Sequence, residues 1–407
     1  MNPFTSLTLP NGSVIPNRLA KAAMEENMAD RNAAPSDELI RLYQSWADGG
    51  AGLIITGNVM IDQRAMTGPG GVVLENAEAG ERFRQWSAAA RSKGSQVWMQ
   101  INHPGRQMPA ALGQETIAPS AVAMDLGNFS RQFSTPREMT EADILDVKTR
   151  FISTARLAEQ FGYNGVQIHA AHGYLISQFL SPVTNKRRDR WGGSLENRAR
   201  LLVDIVKEMR QAVSRDFAVA VKLNSADFQR GGFSPDDARQ VVSMLNPLGL
   251  DMIEVSGGSY EAPAMHGQTR DGRTLAREAY FLEFAKEIAT VAQMPVMVTG
   301  GIRRYQVVEQ VLNSGIDMAG MGTALALNPR LPEIWRTNTS VTPTLRAITW
   351  KNKVLASLAY MAMVKHQLRR LSKGKSTNPD VLPALALLQQ QWETGLKNRQ
   401  YRRRTHR

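Results

Sequence analysis

Three features of this 407-residue chain predict an α/β architecture, a (β/α)8 TIM barrel. Eight short apolar segments occur between residues 18 and 322, amphipathic segments separate them, and glycine-rich turns follow the seventh and eighth. A doubly wound open sheet competes with this reading. It would want a G-x-G-x-x-G turn after the first strand, and none follows Met24.

In chain order, Asn11-Gly12 between the apolar alternations of residues 7–15 signals a β-hairpin, read as a small two-stranded N-terminal lid. Strands are expected at 18–24, 51–58, 95–101, 164–169, 217–223, 250–256, 295–300 and 316–322. Helices are expected at 36–48, 78–93, 140–161, 195–213, 235–247, 277–292 and 304–314. Thr140 opens one helix as an N-cap, and Ser234 opens another with Pro235 at the first helical position. Gly315 sits where a helix should stop. The 102–139 segment, punctuated by Pro104, Gly105, Pro109, Gly113, Pro119 and Pro136, is a loop insertion after the third strand, on the catalytic side. The barrel is assigned to residues 1–335. Residues 336–407 form a C-terminal helical basic extension, with helices over 345–371 and 381–399, a linker at 373–380 and the basic end Tyr401–Arg407.

Composition narrows the function. Hydrophobic residues make up 43% of the chain, enough for one large core or two modest ones. No apolar run reaches the roughly 18 residues of a membrane span, and the start lacks the pattern of a signal peptide, so a cytoplasmic protein is expected. With no cysteine, disulfides, thiolate zinc sites, iron–sulfur clusters and a cysteine nucleophile are excluded. The net charge of +12 belongs to the tail: residues 336–407 hold 15 Lys/Arg against 2 Asp/Glu, whereas residues 1–335 hold 34 against 35. A neutral body disfavours a nucleic-acid-binding or membrane-bound protein and suits an enzyme of small molecules. The basic end is read first as a solvated terminus and second as a subunit contact of a homo-oligomer.

A barrel carries its active site at the carboxyl ends of its strands. Those ends hold Ala23, Met24 and Glu25; Gly57; Gln100; His169, His172 and Tyr174; Lys222; Gly300 and Gly301; and Gly322 and Thr323. Backbone N–H groups in the turns at 300–301 and 322–323 suit a phosphate. Small residues at 23 and 57 leave room for a flat ring, Gln100 can bond a heterocycle, and Lys222 adds a cation. The set fits the phosphorylated flavin FMN, whose reduced anion a cation near N1 stabilises.

The stretch from His169-Ala-Ala-His172-Gly-Tyr174 through Arg187–Trp191 to Asn197-Arg198 resembles the signature of the Old Yellow Enzyme family of FMN-dependent, NAD(P)H-using ene-reductases. It is close to the NADH:flavin oxidoreductase and 2,4-dienoyl-CoA reductase-like branch, and the resemblance covers about residues 3–335. It implies FMN contacts at Ala23, Met24, Gly57, Gln100, Lys222, Gly300, Gly301, Gly322 and Thr323. It implies that His169 and His172 bind a substrate carbonyl oxygen and that Tyr174 donates a proton. It also implies ping-pong hydride transfer from NADH or NADPH through the flavin to the activated C=C bond of an α,β-unsaturated carbonyl compound.

The chain departs from that pattern at three places: Glu25 replaces a common Cys or Thr, Ala23 a frequent Pro, and Thr323 a frequent Arg, which leaves Arg303 or Arg304 as alternative phosphate ligands. The cysteine cluster and second flavin domain of the dienoyl-CoA reductases are absent. Other readings stand beside these. His169 and His172 with His103 or His266 would make a metal site, for which a convincing third ligand is wanting, and no metal is expected. Tyr174 would be a core tyrosine, Lys222 an ion-pair partner, and Gly300-Gly301 a simple turn. The alternative function is a non-flavin phosphate-binding barrel lyase or isomerase using Lys222.

Overall fold

The computed structural model describes residues 1–263 and 278–405. Strands β1 (Leu7–Thr8) and β2 (Val14–Ile15) form the N-terminal hairpin. Then come β3 (Leu19–Lys21), β4 (Leu53–Ile55), the short pair β5 (Val59–Met60) and β6 (Val72–Val73), and β7 (Gln96–Asn102). The long loop carries β8 (Ile117–Ala118) and β9 (Arg137–Glu138). The last five are β10 (Gly165–Ala170), β11 (Ala218–Asn224), β12 (Met252–Ser256), β13 (Val296–Val298) and β14 (Met318–Met321). Eight of these, β3, β4, β7 and β10 to β14, run parallel in the order β10-β11-β12-β13-β14-β3-β4-β7, and β10 pairs back onto β7. The closed eight-stranded parallel barrel with outer helices is the expected (β/α)8 fold.

The helices between strands are α1 (Asp37–Ala47), α2 (Gly80–Arg91), α3 (Glu141–Gln160), the single-turn α4 (Leu175–Leu180), α5 (Leu195–Ala212), α6 (Pro235–Leu245), α7 (Leu282–Ala289) and α8 (Tyr305–Asn313). Four of these starts, those of α1, α3, α5 and α6, carry a side-chain cap. The Ser36 hydroxyl accepts from the Leu39 amide, and Thr140 with Asp143 and Ser234 with Asp237 form reciprocal capping boxes, the latter with Pro235 in the first turn. Helix α7 covers less than the expected 277–292, and residue 277 lies outside the described residues.

Two cores result. Between strands and helices sit large buried side chains such as Trp46, Trp86, Phe83, Phe151 and Phe161. Inside the barrel, Ala20, Leu53, Ile55, Trp98, Ala218, Ala220, Met252, Met297 and Met318 pack with Leu7, Leu9 and Ile15 of the hairpin. The Asn11 amide donates to Asp251 Oδ1 at 3.0 Å, just ahead of β12, and the Asn11 side chain to the Asp216 carbonyl, just ahead of β11. The hairpin therefore closes the amino-terminal end of the barrel, opposite the mouth.

After α9 (Thr323–Leu327) and α10 (Leu331–Trp335), the chain forms α11 (Lys353–Ser372) and α12 (Pro383–Thr405). The basic end is only partly solvated: Arg402 and Arg403 are exposed, but Tyr401 is not. Helix α12 runs to Thr405, and Tyr401 is buried with Met60, Met66, Met108 and Leu112, its hydroxyl donating to the Gln63 carbonyl at 2.8 Å. An aromatic ring that finds an apolar pocket outweighs the repulsion of its arginine neighbours, which stay at the rim. No helix among the described residues is long and apolar enough to cross a membrane.

Candidate active site

The barrel register lines up the expected residues. Parallel pairing sets Gln167 beside Gln100, His169 beside Lys222, and Lys222 beside Glu254. All five side chains are buried. Four of them, all but His169, link in a row across four strands: Gln100 Nε2 donates to Gln167 Oε1 at 2.7 Å, Gln167 Nε2 donates to Glu254 Oε2 at 2.7 Å, and Lys222 Nζ lies 2.8 Å from Glu254 Oε1. Lys222 is thus engaged by a carboxylate and does not stand free. Burying that charge is tolerable because its counter-ion is buried with it. Gln167 and Glu254 are functional candidates the sequence reading missed. Their signal was a polar residue at an inward position of an otherwise apolar strand.

The segment after β10 turns sharply. His172 has φ +61°, in the left-handed region, and Gly173 follows at +74°. For a residue other than glycine this conformation is uncommon and must be held by its surroundings. The Asn224 side chain accepts the His172 amide at 3.0 Å, and His172 pairs with Ser259 as a one-residue bridge. The turn brings three rings together. His169 and His172 centroids are 5.0 Å apart, His169 and Tyr174 4.8 Å apart, both edge-on. His172 Nε2 lies 2.7 Å from Ser256 Oγ. His169 Nδ1 accepts from the Ala171 amide at 3.4 Å, which leaves the ring proton of the neutral imidazole on Nε2.

Electrostatics fix the protonation states. Burial, reinforced by the Lys222 charge, holds His169 well below the usual histidine range, so it is a neutral donor. Burial also pushes the Tyr174 phenol well above its ordinary value, with further contributions from Tyr260 and Glu25, so Tyr174 keeps its proton. The Tyr174 and Tyr260 hydroxyls are 2.9 Å apart. Tyr260, in the loop after β12, was not anticipated, since a loop gives no periodicity to read. Asn58 bonds the same Tyr174 hydroxyl.

The remaining expected residues follow the carboxyl ends of other barrel strands. Ala23, Met24 and Gly57 lie just past β3 and β4, and Gly322, between β14 and α9, is near Met24: a Cβ there would lie 3.6 Å from the Met24 side chain. Gly57 serves its own loop, because a Cβ would fall 2.1 Å from both Glu26 Oε2 and the Met24 carbonyl. Gly300 and Gly301 have φ of +118° and +73°, and a Cβ on Gly301 would strike the Tyr280 ring at 2.5 Å. Arg303 and Arg304 both bond Glu278, Nε to Oε1 at 2.9 Å. Thr323 starts α9. Behind Met24, Lys21 is fully buried against Glu26 and the rings of Tyr43 and Trp46. Among the described residues no three His, Asp or Glu side chains converge as a metal site, and His266 lies outside those residues.

The residues present fit a flavin. At the mouth, buried polar atoms of Asn58, Asn102 and Ser225 have no hydrogen-bond partner among the described residues, and buried polar atoms need one. A polar heterocycle over Gln100 and Lys222 answers that need.

The relatives agree. A fungal protein named NADH-dependent flavin oxidoreductase iliE, from Neonectria sp. (strain DH2), is 39% identical over 80% of this chain, which spans only 46% of that protein's length. Its namesake from Hypocrea jecorina (strain QM6a) is 36% identical over 80% of this chain and 87% of its own. The solved structure of an old yellow enzyme homologue from Zymomonas mobilis superposes with a TM-score of 0.73 at 25% identity, covering 85% of this chain and 95% of that one. The family model described as NADH:flavin oxidoreductase / NADH oxidase matches residues 4–339. On the joint testimony of barrel, ring cluster and relatives, the chain belongs to the NADH:flavin oxidoreductase / NADH oxidase family.

Proposed function

We propose that this flavin oxidoreductase reduces the activated C=C bond of α,β-unsaturated carbonyl compounds, in ping-pong fashion, with NADH or NADPH as electron donor. The observation that carries the proposal is the cluster of His172, a neutral His169 and a protonated Tyr174 at one end of the Gln100–Lys222 row. When bound, FMN supplies two-electron storage between the nicotinamide and the substrate. Gln100 and Lys222 would hold its ring, Ala23, Met24 and Gly57 would flank it, and the Gly300-Gly301 and Gly322-Thr323 turns would receive its phosphate.

His169 and His172 bind the carbonyl oxygen. Because His169 is neutral, it donates a hydrogen bond without surrendering its proton, which suits stabilisation of a developing enolate. Tyr174 protonates the α-carbon; a phenol with a raised pKa retains its proton until carbanion character develops. The buried mouth keeps bulk water from competing for that position.

The test is the double variant His169→Ala/His172→Ala. Binding of phenols and turnover of enones should fall on the order of 100-fold or more, the loss expected when oxyanion donors are removed, while flavin absorbance persists. Loss of FMN with phenol binding intact would overturn the assignment of the histidines.

A further inference from the structure

Glu25 lies directly after Met24 at the mouth, and the C-terminal helices reach it. Its side chain is 28% exposed. Glu25 Oε1 accepts from Thr67 Oγ1 at 2.5 Å, and Oε2 faces Lys365 Nζ at 3.4 Å. Lys365 belongs to α11, 340 residues further along, and also donates to the Asn27 side chain. The contact sits on a firmly docked element. Val364 and Leu368 of α11 pack into the main core, Arg41 Nη1 donates to the Ser372 carbonyl at 2.8 Å, and buried Gln367 exchanges hydrogen bonds with the Asn378 backbone. Helix α12 adds Lys397 on the Asn27 carbonyl, Tyr401 in its methionine pocket and Arg402 on the Ala111 carbonyl.

On its other side, Glu25 acts on the catalytic phenols: its charge helps raise both Tyr174 and Tyr260. The groups facing Glu25 are therefore Thr67 and Asn27 from neighbouring loops, Tyr174 and Tyr260 from the mouth, Lys365 from α11 and, at longer range, Lys397 from α12. Lys397 is itself attracted by Glu393 and repelled by Arg369 and Lys365.

We propose that Lys365 is a positioning residue of the active site, supplied by the C-terminal extension, which holds the Glu25 carboxylate charged and turned toward Thr67 and Asn27 at the edge of the flavin site. Burial alone would push the carboxyl up. The Lys365 charge and hydrogen bond, with Thr67 and Asn27, bring it below the ordinary glutamate value instead. An unpaired carboxylate at this place would oppose negative charge on a reduced flavin; a paired one presents a locally neutral edge. The extension thus sets what the barrel mouth offers its cofactor. The inference rests on the flavin assignment and on the mouth geometry, and is independent of which substrate is reduced.

The experiment compares wild type, Lys365→Met, Lys365→Arg, Glu25→Gln and the Glu25→Gln/Lys365→Met double variant. In wild type, the depressed Glu25 pKa stabilises the fold above the unfolded glutamate pKa, and that contribution is lost as pH falls through the folded value. Removing Lys365 leaves burial opposed only by Thr67 and Asn27, so the folded Glu25 pKa rises and, relative to wild type, stability is lost as pH rises. In flavin-free protein, the Tm of Lys365→Met relative to wild type should therefore fall further between about pH 5 and about pH 8, whereas the same comparison in the Glu25→Gln background stays flat. Lys365→Arg should restore wild-type behaviour. In the FMN-loaded protein, the flavin midpoint potential of Lys365→Met should gain a pH-dependent break that the double variant lacks. Should Lys365→Met fail to fold, Lys365→Gln is read the same way. A Tm difference independent of pH, or unchanged by Glu25→Gln, overturns the proposal. Failure of wild type to bind FMN would sink the flavin reading and leave the flavin-free comparison standing.

Discussion

The Tyr174 and Tyr260 hydroxyls are hydrogen-bonded at 2.9 Å, with ring planes at 73°. One phenol therefore orients the other, and the two should differ when each is removed.

Tyr174→Phe should slow enone reduction by roughly 100-fold, the lower range for loss of a general acid, with nicotinamide-driven flavin reduction unchanged. Tyr260→Phe keeps the acid and loses about 1 kcal/mol of hydrogen bonding, roughly a fivefold effect. Stopped-flow measurement of the two half-reactions separates them. Equal losses in both would remove the distinction drawn between acid and orienting group.

Glu254→Gln leaves Lys222 buried without its counter-ion, 2.8 Å from an uncharged amide. Breaking such a pair costs roughly 3–5 kcal/mol, so the urea midpoint should fall accordingly. The double variant Glu254→Gln/Lys222→Met removes both charges and should recover much of that stability. If it does not, the pair is not what stabilises this layer.

His103 is buried, and that burial lowers its pKa to about 4. The unfolded imidazole takes up a proton below about pH 6.5, while the folded one does not until about 4. Folding stability from this group is thus lost as pH falls across that window, by about 3 kcal/mol in total. His103→Gln should flatten the fall in stability between those limits. An unchanged pH profile would place the titration elsewhere.

How far the sequence was legible varies by element. All eight barrel strands fall on the expected segments, with β7, β10 and β11 each running one residue past the expected end, because strands covered on both faces are apolar throughout and stand out from their surroundings. The end of β10 was legible for the opposite reason: two imidazoles and a phenol follow an apolar run, where packing alone would not place them. Partnerships were not legible. Glu254 meets Lys222, and Lys365 meets Glu25, through contacts between distant segments that leave no local pattern. Gly57 reads from sequence as space for a ring; that its Cβ direction is also closed by the Glu26 carboxylate and the Met24 carbonyl leaves no local pattern. At the basic end charge suggests solvation, which holds for Arg402 and Arg403, whereas the docking of the helix through Tyr401 leaves no such signal.

The N-terminal hairpin has a temporal consequence. Leu7, Leu9 and Ile15 pack on Met252, Met297 and Met318, and Asn11 bonds Asp251 across 240 residues. The hairpin is synthesised well before β12 to β14, and its packing surface is not complete until nearly the last strand has joined the sheet. Such long-range contacts make for slow maturation. A nascent chain must therefore carry Leu7, Leu9 and Ile15 exposed until β12 to β14 are made, and shielding the hairpin over that interval would favour closure of the barrel.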